Sequence, residues 1–114
     1  MLSYSSHEAG GVLIFTVEEA GEDQYNTSQR EWLYKTIETR DDPRFVIDLG
    51  ALNYLASSDI GLLITVKRRI DARKGKVVIT NVDPFIMDIF KTMRIDKLFT
   101  FTTDLPSAVA ALNL

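Results

Sequence analysis

The sequence predicts an α/β fold, in which a mixed, mostly parallel sheet of about five strands is covered by about four α-helices. Short apolar runs suited to buried strands alternate along the chain with longer amphipathic segments suited to helices. Strands that alternate with helices are joined by crossover connections, which make neighbouring strands parallel. The predicted element order is β-β-α-β-α-β-α-β-α. A chain of 114 residues without an internal repeat or linker suits one domain, residues 1–114.

A hairpin is predicted at the start of the chain, where it supplies the antiparallel edge of the sheet. Its strands are residues 2–7 and Val12–Val17, and Gly10-Gly11 suits a two-residue turn between them. The stretch Glu18–Gln24 is acidic and irregular, so it is interpreted as a solvated loop. Its carboxylates do not indicate a catalytic site, because nothing near them supplies a matched acid and base.

The first helix is predicted from its two ends. Ser28 and Glu31 have the spacing of a capping box, in which each side chain accepts a hydrogen bond from the other residue's backbone N–H. Asp41-Asp42-Pro43 ends the helix, because proline cannot continue it and restricts the residue before it. Leu33 and Ile37 lie four residues apart and define the buried face.

The rest of the chain predicts three more strands and three more helices. In chain order they are the strand Phe45–Leu49, a helix over residues 58–73, the strand Lys76–Thr80, a helix that opens at Asp83-Pro84, the strand Leu98–Phe101 and a helix over Asp104–Leu112. The core stripe of the second of the four helices is made of Ile60, Leu63, Ile64 and Ile70. The third has a wide apolar face made of Phe85, Ile86, Ile89, Phe90 and Met93.

Composition argues against several classes of function. The chain has no cysteine, which excludes disulfides, thiol catalysis and zinc thiolate sites, and the single histidine, His7, cannot supply a multi-histidine metal site. We therefore expect no metal, no other cofactor and no enzymatic activity. A net charge of −3 gives no case for direct nucleic-acid binding. No apolar run reaches the roughly 20 residues that cross a bilayer, and no signal peptide is visible, so we expect a cytoplasmic protein. We also expect a monomer, because nothing in the sequence demands a larger assembly.

The serine pair Ser57-Ser58 stands at the predicted start of the second helix. A serine there can act as a cap, because its side-chain oxygen accepts a bond from an otherwise unpaired backbone N–H. The same end of a helix also favours a phosphate, since free N–H groups and the helix dipole point toward it. From the residues alone, both interpretations stay open.

Three stretches of the chain resemble the STAS domain family of bacterial anti-sigma factor antagonists. The stretches are Asp48-Leu49 with Tyr54-Leu55-Ala56-Ser57-Ser58-Asp59-Ile60-Gly61, then Arg73-Lys74-Gly75-Lys76-Val77-Val78-Ile79, and finally Asp83-Pro84 with Phe90 and Met93-Arg94-Ile95-Asp96-Lys97-Leu98-Phe99. The resemblance implies a STAS-like α/β fold. It covers about residues 44–114, and the first forty residues match by element order.

The resemblance also implies a function. Such antagonists bind an anti-sigma factor, often a serine protein kinase, and so free a sigma factor for transcription. The kinase phosphorylates the serine at the helix start, the phosphorylated antagonist is released, and a phosphatase resets it. Carried over to this sequence, the phosphorylated residue is Ser57, with Ser58 as the second choice.

This sequence departs from the family's pattern at three positions. Ala56 stands where the family typically has aspartate, and Asp59 and Arg94 stand where it typically has glycine. Asp59 places a negative charge two residues from Ser57, where it would repel a phosphate of about −2. A further hypothesis is that Asp59 partly mimics a phosphate and holds the chain in one binding state.

Partner-binding residues are predicted around the serines. They are Asn53, Tyr54, Ala56, Ser57, Ser58, Asp59, Leu62 and Val66. Leu62 and Val66 have the spacing of a helix that docks into a groove, or they fill the core, and Tyr54 either lines the preceding loop or packs under it.

Alternatives to this switch remain. One is a STAS scaffold in a larger signalling complex that is never phosphorylated, and the other binds a small ligand or nucleotide at the carboxyl ends of the strands. The basic residues between Lys67 and Lys76 complement the end of a helix dipole, or they form a surface for an acidic partner.

Overall fold

The computed structural model describes residues 2–19 and 27–114, and within them the chain forms a five-stranded sheet and four α-helices. The strands are β1 (Leu2–Ala9), β2 (Val12–Glu19), β3 (Arg44–Asp48), β4 (Lys76–Thr80) and β5 (Thr100–Thr102). The helices are α1 (Thr27–Thr39), α2 (Ser57–Ala72), α3 (Pro84–Thr92) and α4 (Leu105–Leu112), with a short 3-10 turn at Asp96–Leu98.

The strands lie in the sheet in the same order as in the sequence. β1 pairs with β2 antiparallel, and β2, β3, β4 and β5 are parallel to one another. The mixed, mostly parallel sheet and its four helices confirm the predicted fold class and element order.

The two faces of the sheet carry separate cores, because successive strand residues point to opposite sides. On one face, side chains such as Phe45, Ile47 and Ile79 pack with the buried residues of α1, α2 and α3. On the other face, Val46 and Val78 pack against Ala108 and Leu112 of α4, together with residues of β2. Because α1, α2 and α3 each follow one of the parallel strands, their starts lie at the edge of the sheet where these strands end.

The turn between β1 and β2 requires both of its glycines. Gly10 and Gly11 have φ angles of +59° and +82°, which side chains rarely allow. A Cβ atom on Gly10 would lie 2.4 Å from Cγ1 of Val109, so the turn also packs closely on α4. The hairpin predicted from the glycine pair is confirmed.

Two predicted boundaries are wrong. Glu18 and Glu19 belong to β2 and not to a loop, because they continue its pairing with β1. The final strand begins at Thr100 and not at Leu98, since Leu98 ends the 3-10 turn and is 50% exposed. The rest of the predicted acidic loop, residues 20–24, lies outside the described residues, as does the Ser28 side chain, so the Ser28–Glu31 capping box stays a prediction.

The predicted apolar face of α3 is narrower than expected. Ile86 and Phe90 are buried and Ile89 is half-buried, but Phe85 is 59% exposed and Met93 is also exposed. The helix lies on the sheet at its Ile86–Phe90 side, so the two residues at its ends reach past the core.

Candidate protein-interaction site

The loop between β3 and α2 is held to the core by leucines. Leu49, Leu52 and Leu55 are buried, and the backbone N–H of Leu49 donates to the carbonyl of Thr80 at 3.1 Å. Between these anchors the loop turns Asn53 and Tyr54 to the surface, and Tyr54 is 55% exposed. Of the two interpretations of Tyr54, the structure supports a residue that lines the loop.

The start of this loop is fixed by a carboxylate. Oδ1 of Asp48 accepts hydrogen bonds from the backbone N–H of Gly50 at 2.9 Å and from Nδ2 of Asn81 at 3.1 Å. Asp48 ends β3 and Asn81 follows β4, so the bond joins the exits of two neighbouring strands. The loop therefore leaves the sheet in one defined direction.

The serines do not cap α2, which corrects the prediction from sequence. The N-cap residue is Ala56, whose side chain has no acceptor, and Ser57 and Ser58 are the first two residues of the helix. Oδ2 of Asp59 accepts from the backbone N–H of Ala56 at 2.9 Å, which is one half of a capping box. Both serine side chains are exposed, so they are accessible to another protein.

The outward face of α2 carries fewer of the predicted docking residues than expected. Val66 is 1% exposed and belongs to the core, so it cannot reach a partner in this conformation, and that prediction is wrong. Leu62 is half-buried beside the core. Gly61, one turn after Ser57, is exposed, and a Cβ atom added to it would meet nothing within 4 Å.

Sequence reasoning missed Tyr4, a core residue that Asp59 at the start of α2 influences. Tyr4 on β1 is 7% exposed, and its hydroxyl group is buried with no hydrogen-bond partner among the described residues. Burial raises the pKa of Tyr4, and the negative charge of Asp59 raises that pKa further. Tyr4 and Asp59 are 55 positions apart in the chain, so no local pattern in the sequence links them.

The basic residues near the end of α2 largely contact the chain itself. Lys67 pairs with Asp71 at 2.7 Å, and Arg69 pairs with Glu38 and lies 3.9 Å from the centre of the Tyr34 ring. Nη1 of Arg73 donates to two carbonyls at the end of α1. The contacts of Arg69 and Arg73 hold α1 against α2, whereas the Lys67–Asp71 pair lies within α2. These three basic residues therefore have contacts inside the chain.

A shallow depression of about 520 Å³ lies beside the loop, at the edge where the parallel strands end. It is lined by Thr16, Asp48, Gly50, Ala51, Leu52, Asn81, Val82 and Asp83. Open α/β sheets bind ligands where the strand order reverses. Here β2 to β5 follow one another without a reversal, so the topology gives no support to the nucleotide-binding alternative.

Two further properties hold for the described part of the chain. None of its helices is long and apolar enough to span a membrane. It also contains no group of three or more His, Cys, Asp or Glu side chains placed to hold a metal ion.

The comparisons with known proteins give one consistent result. A sequence model of the STAS domain matches residues 4–108. BtrV of Bordetella bronchiseptica, a candidate anti-sigma factor antagonist, is 25% identical over 68 residues, which span 60% of this chain and 59% of BtrV.

Two solved structures show the shared fold. A protein from the stressosome, described as a signal integration and transduction hub, superposes with a TM-score of 0.81 at 21% identity and 96% coverage of each chain. The Bacillus cell fate determinant SpoIIAA in its phosphorylated form gives a TM-score of 0.70 at 14% identity, over 96% of this chain and 98% of SpoIIAA. With the family match across most of its length, the chain belongs to the STAS domain family and has the fold of the anti-sigma factor antagonists.

Proposed function

We propose that this chain is a protein-interaction switch that binds an anti-sigma factor with serine kinase activity and is released when Ser57 is phosphorylated. One observation carries the proposal. Ser57 is exposed at the first position of α2, directly after a loop that the core holds in place and that presents Asn53 and Tyr54 outward. A kinase bound to this surface has the serine hydroxyl within the interface.

The chemistry of the switch is a transfer of one phosphoryl group. The Ser57 Oγ atom attacks the γ-phosphorus of ATP held by the partner, the bond to the bridging oxygen breaks, and ADP and the hydroxyl proton leave. The product has a charge of about −2 in the interface. A desolvated dianion without a paired cation is costly, so the complex dissociates. A phosphatase that hydrolyses the phosphoserine restores the binding state.

Phosphopeptide mass spectrometry of the chain isolated from its native cells, in growth and under stress, tests the proposal. Cleavage after Arg44 and Lys67 releases one peptide that contains both serines, and fragmentation assigns the phosphate. We expect a stress-dependent phosphate on Ser57, absent from a Ser57→Ala variant and retained in Ser58→Ala. A chain that carries no phosphate under any condition contradicts the switch.

A second function is favoured by the bond between Asp59 and Ala56. Because a carboxylate already accepts the Ala56 N–H, the start of α2 has a resident negative charge before any phosphate arrives. This supports the alternative of a scaffold in a larger signalling complex that keeps one binding state without phosphorylation.

The substitution Asp59→Asn separates the two functions. Asparagine keeps an oxygen that can accept the Ala56 N–H but removes the charge. If Asp59 acts as a fixed phosphate mimic, partner affinity changes about tenfold or more, which corresponds to about 1.4 kcal/mol. The matched control is Asp88→Asn, an exposed aspartate on α3. Unchanged affinity, measured by titration calorimetry, rejects the mimic.

A further inference from the structure

Two hydrogen bonds fix the backbone of Tyr4, whose side chain carries the buried hydroxyl group. The N–H of Tyr4 donates to Oε1 of Gln29 and its carbonyl accepts from Nε2 of Gln29, both at 3.2 Å. The ring belongs to the core between the sheet and α1 to α3. Native proteins seldom leave a buried hydroxyl unpaired, so this hydroxyl, which has no partner among the described residues, calls for an explanation.

Asp59 stands on the side of α2 that packs into the core to which Tyr4 belongs. It precedes Leu63, Val66 and Ile70 by 4, 7 and 11 positions, and all three are buried. Residues at this spacing share one face of a helix, so the Asp59 side chain starts from the inner face of α2. The negative charge of Asp59 raises the pKa of Tyr4 beyond the effect of burial.

We propose that Tyr4 is a second hydrogen-bond partner for the Asp59 carboxylate, used when the start of α2 carries a phosphate. In the unmodified chain Oδ2 of Asp59 accepts from the Ala56 N–H at 2.9 Å. A phosphate on Ser57 competes for the backbone N–H groups at the helix start and repels the carboxylate. The side chain of Asp59 then turns inward, where the Tyr4 hydroxyl donates a charge-assisted bond to it.

The exchange of partners gives Tyr4 a positioning role, because it acts on the switch through Asp59. It frees the N–H group of Ala56, and Ala56 is the last residue of the loop that presents Asn53 and Tyr54. The phosphate would thus change the shape of the docking surface as well as its charge. This inference rests on the proposed function, since it assigns the response to a phosphate on Ser57.

The test uses the full chain with phosphoserine incorporated at position 57 during synthesis, so no kinase is needed. Melting temperatures are measured for the chain and for Tyr4→Phe, each with and without the phosphate. Without it, Tyr4→Phe removes an unpaired donor, so we expect no decrease. With it, we expect a decrease of about 4 °C or more. The control Tyr34→Phe, on the half-buried tyrosine of α1, should shift both forms equally.

Hydrogen exchange of the Ala56 amide gives the second readout. We expect exchange at least about tenfold faster in the phosphorylated chain, where the bond to Asp59 is lost, and a smaller acceleration in phosphorylated Tyr4→Phe. Equal effects of Tyr4→Phe on both forms, or an Ala56 amide that does not respond to the phosphate, overturn the proposal. Either result leaves the proposed switch intact if cells phosphorylate Ser57. If cells do not phosphorylate Ser57, the proposed switch is rejected, but the change of Asp59 partner can still be measured in the chain with incorporated phosphoserine.

Discussion

Gly61 has no contact among the described residues that requires a glycine. Glycine in a helix interior costs about 0.5–1 kcal/mol relative to alanine, and here a Cβ atom has open space. A glycine that the fold does not need fits a surface on which a partner packs closely.

The substitution Gly61→Ala should therefore act in opposite directions on folding and binding. We expect the free energy of unfolding in urea to rise by about 0.5–1 kcal/mol, while partner affinity falls because the methyl group intrudes on the interface. Gly75→Ala is the contrast, since its Cβ atom would lie 2.4 Å from the carbonyl oxygen of Pro43 and should destabilise the chain. Unchanged binding by Gly61→Ala would remove Gly61 from the docking surface.

Tyr4 should make the fold sensitive to alkali. Burial raises its pKa above the usual value of 10.0, so between pH 10 and its folded pKa the unfolded chain loses this proton while the folded chain keeps it. The resulting contribution is present below pH 10 and is lost as pH rises. Urea unfolding between pH 9 and 11 should show a steeper loss of stability for the chain than for Tyr4→Phe, and identical slopes would contradict this.

At the scale of elements, the start of α2 lacks a good cap. Alanine is among the poorest N-cap residues, and Ala56 → Ser should add an acceptor for the unpaired N–H groups of the first turn. We expect the free energy of unfolding to rise by about 1 kcal/mol. Ala72→Ser, at the exposed last residue of the same helix, is the matched control and should stay near neutral. A null result for Ala56→Ser would mean that Asp59 already supplies what the helix start needs.

The sequence predicts elements well where a local pattern decides their structure. Glycine pairs, prolines after cap residues and apolar runs predict β1 to β4 and α1 to α4 within a few residues. The predicted final strand begins two residues too early because Leu98 and Phe99 join Phe101 in one apolar run, although Leu98 belongs to a 3-10 turn and is exposed. The sequence pattern also fits a helix that begins one residue later, with Ser57 as its cap. The bond from the Ala56 N–H to Asp59 decides between these two starts.

At the scale of the whole molecule, Arg44 joins segments that are far apart in the chain. Its guanidinium group donates to both carboxylate oxygens of Asp42, to the Leu112 carbonyl and Asn113 Oδ1 at the end of α4, and to the Gly11 carbonyl in the hairpin turn. Like the influence of Asp59 on the pKa of Tyr4, this set of contacts depends on the folded topology and leaves no local signal. The location of the candidate site was therefore predictable, whereas its inner side was not.

Arg44 → Lys should lower the melting temperature, because lysine cannot make these parallel and forked bonds. Arg68→Lys, on the exposed face of α2, is the control and should be neutral.

Arg44 also holds the pKa of Asp42 below its usual 3.8 through a side-chain hydrogen bond. The resulting contribution to stability is present above pH 3.8 and is lost as pH falls through the folded pKa. The stability of Arg44→Lys should therefore depend less on pH in this range. An unchanged acid transition would show that the pair adds nothing.

The side chain of Gln29 has a consequence for how the molecule behaves at high concentration. A strand at the edge of a sheet offers its outward backbone groups to other chains, which is a route to aggregation. At Tyr4 those groups are already taken, because the Gln29 amide occupies the place of a neighbouring strand. The ladder that another molecule could extend along β1 is interrupted there, and the segment from residue 6 to residue 9 is shorter than a typical strand. We therefore expect this single glutamine to protect the edge against fibre-like growth.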